Sequence, residues 1–142
     1  MNVAASPVLY RFVAVFALLW NLVGLAMFCM QVTLTPQAVA ALPPEQQQIH
    51  AAMPGWVYVF FGIAVVSGVL GALGLLLRRR WAVPLLLVSL LGVVMQMASA
   101  YAVTPVWALT GVAGAVFPLL LVLVCLLLWL FARKVAARGG LR

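Results

Sequence analysis

Four apolar runs, each about twenty residues long, dominate the sequence. An α-helix needs about 20 mainly apolar residues to cross the hydrocarbon core of a bilayer, and each run meets that requirement. Because 68% of the residues are hydrophobic and only 6% are charged, lipid must be part of the solvent of this chain. The runs predict an all-α membrane protein, a single integral membrane domain over residues 1–142 with spans at about 10–31, 56–77, 81–101 and 110–132. We expect the first run to be retained as a helix, since it is longer than the apolar core of a signal peptide.

The connections and the residue pattern predict how the spans pack. The turn Arg78-Arg79-Arg80 is so short that the second and third spans must be antiparallel neighbours. Small and polar residues share one face of each predicted helix, and helices in lipid associate through such faces. We therefore predict an antiparallel four-helix transmembrane bundle with those faces directed inward.

Residues 32–55 form the only sizeable polar segment, and they predict a short helical outer loop between the first two spans. Thr35-Pro36 is typical of a helix start, with a capping threonine and proline at the first helical position. Pro43-Pro44 predicts the end of that helix, and Met53-Pro54-Gly55 would end any second one, so one or two short helices are expected. A shorter loop at about 102–109 is predicted between the last two spans.

The charges predict the topology. The formal net charge of +7 comes from eight Lys/Arg residues and one acid, Glu45. The basic residues lie only before the first span, between the second and third, and after the fourth. By the positive-inside rule, both termini and the arginine turn are expected in the cytoplasm. We expect lipid headgroups as the partners of the basic residues, and no nucleic acid. The residues predicted to have this role are Arg11, Arg78, Arg79, Arg80, Arg133 and Lys134.

Uncharged polar residues inside the spans are the candidate ligand-binding residues. A helical rise of about 1.5 Å per residue groups them by depth. Asn21, Ser67 and Ser89 lie near the predicted midplane, and Gln31, Gln96 and Tyr101 lie towards the outer face. Two interpretations remain open: the two layers line a binding site, or they form hydrogen bonds that hold helices together.

The sequence offers little for catalysis. Apart from Arg11 flanking the first span, no Asp, Glu, Lys, Arg or His lies within a predicted span, which excludes the usual intramembrane proton relays. Glu45 and His50 are five residues apart and are expected on a solvated loop surface. Cys29 and Cys125 differ in depth and are not expected to form a disulfide. We predict no catalytic residues, no metal site, no cofactor and no enzyme activity.

Two functions fit this pattern. The first is a non-enzymatic accessory or interaction subunit that binds a second copy or a larger membrane protein. Its contact surface would be the outer loop or the stripe of Gly68, Gly71 and Gly74. The alternative is a binder or transporter of a neutral or lipophilic solute. That alternative predicts a cavity connecting the two polar layers, with Trp20 or Phe60 on its wall.

The layout resembles a known kind of membrane protein. The Asn21 span, the Thr35-Pro36 loop, the stretch from Arg78 to Pro84 and the basic tail are similar to those of small four-span proteins of Gram-negative bacteria. The general plan is also similar to that of DoxX-like tetraspan proteins. The resemblance implies a multi-pass protein of the bacterial inner membrane. It rests on layout over the whole length and therefore carries no catalytic residue to this chain.

Overall fold

The computed structural model of the protein describes residues 7–103 and 106–141, which form helices and contain no strand. The helices are α1 (Pro7–Val32), α2 (Pro36–Ala40), α3 (Pro44–Ala52), α4 (Gly55–Leu76), α5 (Ala82–Val103) and α6 (Val106–Ala137). In the described part of the chain, four helices are long and apolar enough to cross a membrane: α1, α4, α5 and the part of α6 from Gly111 onward. The prediction of an all-α chain with four such helices is confirmed, and this is consistent with an integral membrane protein.

The boundaries of the last two spans differ from the prediction. Helix α5 continues to Val103, and residues 106–109 are helical although they were predicted as a loop. The predicted Thr104-Pro105 turn lies outside the described residues. Gly111, with φ 60° and ψ −149°, separates this short first part of α6 from the long second part. Glycine adopts a positive φ without the steric cost that other residues meet.

The polar segment between α1 and α4 contains two short helices, α2 and α3. The Thr35 side chain accepts a hydrogen bond of 3.1 Å from the Ala38 N–H, and Pro36 is the first residue of α2, so the predicted helix start is confirmed. Helix α3 is tied back to the end of α2, because Gln47 Nε2 donates to the carbonyls of Ala40 (3.1 Å) and Leu42 (2.7 Å). Residues 33–54 therefore form one connected structure, which we call the connecting segment.

Helices α4 and α5 approach each other closely along their small residues. Gly74 lies against Ala82, Gly71 against Leu86, and Gly92 against the backbone of Ala64, so the contacts run in opposite sequence directions. A Cβ atom added to Gly71 would lie 2.8 Å from Leu86 Cγ. Gly68, Gly71 and Gly74 are buried within the chain. The prediction that this stripe is a contact surface for a partner is therefore wrong, because α1 and α5 already cover it.

The buried core gathers near the arginine turn. Helix α1 packs along α4, and α6 packs along α5. The core residues are mostly alanine and leucine with one aromatic ring: Tyr10, Ala14, Ala17, Ala72, Leu75, Ala82, Leu86, Leu128, Ala132, Val135 and Leu141. We call the part of the molecule around this cluster the base. The part beyond it, towards the connecting segment, we call the open half.

Candidate functional site

A partly open cavity of about 220 Å³, which we call the interior cavity, lies among α1, α4, α5 and α6 in the open half. Most of its wall is apolar and includes Trp20, Met27, Phe61, Phe117 and Leu121. Asn21, Gln31, Ser89 and Gln96 add uncharged polar groups, and Cys125 adds a thiol. The structure therefore brings four of the six predicted ligand-binding residues to one cavity, with Trp20 on its wall; Phe60 is not among its lining residues.

The side chains of Asn21 and Ser89 both lie against Gly68. A Cβ atom added to Gly68 would lie 2.0 Å from Asn21 Oδ1 and 2.9 Å from Ser89 Oγ. Asn21 Nδ2 donates to the carbonyl of Ala17 in its own helix (2.8 Å), whereas Ser89 Oγ donates to the carbonyl of Ala64 on α4 (2.7 Å). Ser89 thus joins two helices, while Asn21 keeps its carbonyl oxygen and one N–H for other partners.

Gln31 and Gln96 supply the other amide groups of the interior cavity. Gln96 is half-buried and Gln31 is exposed near the end of α1. Neither side chain makes a hydrogen bond with the described residues of the protein, so both can donate to and accept from a molecule in the cavity.

Ser67 and Tyr101 lie apart from the interior cavity. Ser67 Oγ donates to the carbonyl of Ile63 at 2.5 Å, a bond within its own helix. Tyr101 is half-buried, and its hydroxyl donates to the carbonyl of Gly114 on α6 at 2.7 Å. Pro118 stands four residues after Gly114 and has no N–H, so it leaves that carbonyl without its usual helical partner. Tyr101 supplies the missing donor from a neighbouring helix. A backbone carbonyl inside a bilayer needs such a partner, because no water is there to bond with it.

The basic residues predicted to contact headgroups gather at the base. Arg11, Arg79, Arg80, Arg133 and Lys134 are exposed. Arg78 is half-buried, and its guanidinium lies 4.1 Å from the centre of the Tyr10 ring. The hydroxyl of Tyr10 in turn donates to the Leu75 carbonyl. Arg80 Nε donates to the Leu141 carbonyl (3.3 Å), so the arginine turn also holds the end of the chain.

A second cavity, of about 390 Å³, is lined by Gln31 and by residues of the connecting segment, but not by Gln96 or Tyr101. It lies between the end of α1, helix α3 and the start of α4, and we call it the outer cavity. His50, predicted on a solvated surface, is half-buried on its wall, and His50 Nδ1 lies 3.4 Å from the hydroxyl oxygen of Tyr58. Met27 and Gln31 line both cavities, so the two cavities adjoin.

Classical ligand clusters do not occur in the described residues. No group of three or more His, Cys, Asp or Glu side chains there could hold a metal ion. Cys29 is exposed and Cys125 half-buried, and both are free thiols, as expected from their different depths. The chemistry that the interior cavity offers is hydrogen bonding and apolar contact.

No protein-family model matches the chain, and no curated protein and no solved structure is significantly similar to it.

Proposed function

We propose that the protein binds a small, neutral, lipophilic molecule in the interior cavity. The observation that supports this function is the cavity itself: about 220 Å³ of space among all four long helices, lined by apolar side chains and by three amide side chains. Binding sites for small molecules typically combine an apolar wall with a few polar groups that fix orientation.

The lining defines the class of ligand. Among the described residues, the wall of this cavity has no charged side chain, so a charged ligand would find no counter-ion there. The amides of Asn21, Gln31 and Gln96 both donate and accept hydrogen bonds, which suits a carbonyl, hydroxyl or amide on the ligand. Cavities for drug-sized ligands are roughly 300–1,000 Å³. The smaller volume here suits a single ring with short substituents.

The hydrogen bonds of Asn21 favour binding over simple helix packing. If this residue served to hold helices together, its side chain would bond across to Ser67 or Ser89. Its amide nitrogen instead donates to Ala17 in the same helix, and a void lies beside it. For an accessory subunit, the glycine stripe is buried and so does not offer a surface to a partner. The connecting segment is then the remaining predicted contact surface.

The proposal includes the arrangement in the membrane. We propose one antiparallel four-helix bundle in a bacterial inner membrane, with the base and both termini on the cytoplasmic side and the connecting segment on the other. The contacts of α1 with α4 and of α4 with α5 support this arrangement, as does the gathering of the basic residues at the base. Such an orientation would open the outer cavity away from the cytoplasm.

A matched pair of variants tests ligand binding. Val93 lines the interior cavity, whereas its neighbour Val94 is 41% exposed on the outer surface of α5. Val93→Phe fills the cavity, and Val94→Phe places the same ring in lipid. The protein is purified from its membrane in mild detergent, and small molecules that accompany it are extracted and quantified by mass spectrometry.

We expect one compound to accompany the wild type and Val94→Phe equally and to fall about tenfold or more in Val93→Phe, which corresponds to about 1.4 kcal/mol of binding. Gln96→Leu is expected to reduce it by a smaller factor, because it removes a hydrogen bond and keeps the volume. Equal recovery from Val93→Phe and Val94→Phe, or no compound from any variant, contradicts the proposal.

A further inference from the structure

The outer cavity is lined by an unusual set of side chains. Three thioethers and one imidazole face the same space of about 390 Å³: those of Met27, Met30, Met53 and His50. The rest of the wall is apolar or carries neutral polar groups, and within the described residues it has no carboxylate, lysine or arginine. Of the amide side chains of the interior cavity, Gln31 also lines this site, whereas Asn21 and Gln96 do not.

The sequence spacing explains how the four side chains meet. Met27 and Met30 are three residues apart on α1, and His50 and Met53 are three residues apart on α3 and its C-terminal cap. Helical residues three apart lie on the same face, so each pair presents two side chains in one direction. The fold brings these two pairs to the wall of a single cavity.

The chemistry of this set is specific. Thioethers are soft, neutral ligands that select Cu(I), whereas Mg²⁺, Ca²⁺ and Mn²⁺ prefer oxygen. Imidazole also binds copper. Neutral ligands add no charge of their own, so the bound ion keeps its full charge, which is smallest for a monovalent cation. We propose that Met27, Met30, His50 and Met53 form a binding site for a soft monovalent metal ion of the Cu(I) class.

Tyr58 is a positioning residue in this site. Its hydroxyl lies 3.4 Å from Nδ1 of His50, which leaves Nε2 of that ring as the metal ligand. Histidines that bind metals almost always engage their other ring nitrogen in this way, and the partner fixes the orientation of the ring.

The test uses the full-length protein in detergent micelles and Ag(I), which has the ligand preference of Cu(I) without its redox chemistry. Cys29→Ser and Cys125→Ala are introduced first, because both thiols are free and would bind silver themselves. The methionine methyl groups carry ¹³C, and each signal is assigned by a Met→Leu substitution. Met95 and Met97 on α5, which do not line the outer cavity, provide internal controls.

We expect one equivalent of Ag(I) to shift the methyl signals of Met27, Met30 and Met53 and to leave those of Met95 and Met97 in place. Excess Mg²⁺ should not reverse the shifts. Absence of shifts, or equal shifts at Met95, overturns the proposal.

Affinity measurements with variants add a second readout. Met30→Leu and His50→Gln should each weaken Ag(I) binding by about tenfold or more, and Tyr58→Phe should weaken it by a similar or smaller factor. Met95→Leu should leave it unchanged. Circular dichroism of each variant verifies the helical fold, since Met→Leu nearly conserves volume. Unchanged affinity in a folded Met30→Leu protein contradicts the site.

The two proposals fail separately. Val93→Phe fills the interior cavity and should leave Ag(I) binding intact. Met30 lines the outer cavity but not the interior one, so Met30→Leu should leave the accompanying lipophilic compound intact.

Discussion

The base and the open half of this protein are built from the same four long helices, yet they pack differently. At the base, Ala14, Ala72 and Ala82 have no exposed surface, and Tyr10 is 2% exposed. In the open half, the same helices leave the interior cavity of about 220 Å³, and α1, α3 and α4 line the partly open outer cavity of about 390 Å³. One half is a close-packed support, and the other has room for ligands.

The size of the facing residues accounts for the difference. Glycine and alanine at the base let backbones approach closely, which is how helices associate in lipid. In the open half, Phe28 and Phe61 stack between α1 and α4 with ring centres 5.3 Å apart, and Trp20 and Phe117 line the void. Because lipid is as apolar as the side chains, no hydrophobic force closes such a void. Bulky residues therefore suffice to keep α1 and α6 apart there, while α4 and α5 remain close at Ala64 and Gly92.

The largest expected effect concerns the two sides of the membrane. In a protein carrying Cys29→Ala and Cys125→Ala, single cysteines are placed at exposed Gln48 in the connecting segment and at exposed Arg79 in the base. A membrane-impermeant maleimide should label Gln48→Cys in intact cells and Arg79→Cys only after permeabilisation. The reverse pattern would invert the proposed topology, and labelling of both in intact cells would contradict it.

The next prediction compares a glycine of the base with one of the open half. Gly71→Ala places a methyl group 2.8 Å from Leu86 Cγ and 3.2 Å from its backbone nitrogen, so the helices must separate. We expect a loss of about 1–3 kcal/mol, measured by unfolding in SDS. At Gly24 the nearest atom, Val65 Cγ1, is 3.5 Å away, so Gly24→Ala should be neutral or slightly stabilising. Equal losses for both variants would show that the two halves pack alike.

The third prediction concerns Tyr101, one of two tyrosines whose hydroxyl donates to a backbone carbonyl. Tyr101→Phe leaves the Gly114 carbonyl without a partner beside Pro118 and should cost about 1–3 kcal/mol. Pro118→Ala restores a backbone N–H, so Tyr101→Phe should cost less in that background. A double-mutant cycle in SDS unfolding measures this difference, and additive effects would argue against it.

Tyr10→Phe is expected to have the smallest effect, about 0.5–1.5 kcal/mol. The Leu75 carbonyl keeps the Arg78 N–H as a donor at 3.1 Å, and the phenyl ring still accepts the Arg78 guanidinium. A loss larger than that of Tyr101→Phe in the same SDS assay would contradict this ranking.

The fold was largely predictable, because apolar length and the faces of small residues are local properties of the sequence. The helical residues 106–109 were missed, since the break falls at Gly111 and only its backbone geometry reveals that. For the site, depth placed Asn21 and Ser89 in one layer and Gln96 in a second, and all three line the interior cavity. Depth alone did not reveal that the Ser67 hydroxyl bonds within its own helix or that the Tyr101 hydroxyl donates to the Gly114 carbonyl.

The set of side chains that line the outer cavity could not be predicted from the charged residues or from the usual metal ligands. His50 and Tyr58 are eight residues apart across the break at Met53-Pro54, so their contact depends on how α3 turns into α4. The thioethers on its wall also lie outside the usual set of metal ligands, which are His, Cys and carboxylates. The repeated spacing of three residues in Met27/Met30 and His50/Met53 was the available signal.

The most direct test of the account is an experimental structure of the protein purified from its membrane and held in a lipid nanodisc. We predict a close-packed base and, in the open half, non-protein density in the interior cavity within hydrogen-bonding distance of Asn21 or Gln96. Helices α1 and α6 in direct contact throughout the open half, with Asn21 bonded to Ser89 and no void between them, would contradict it.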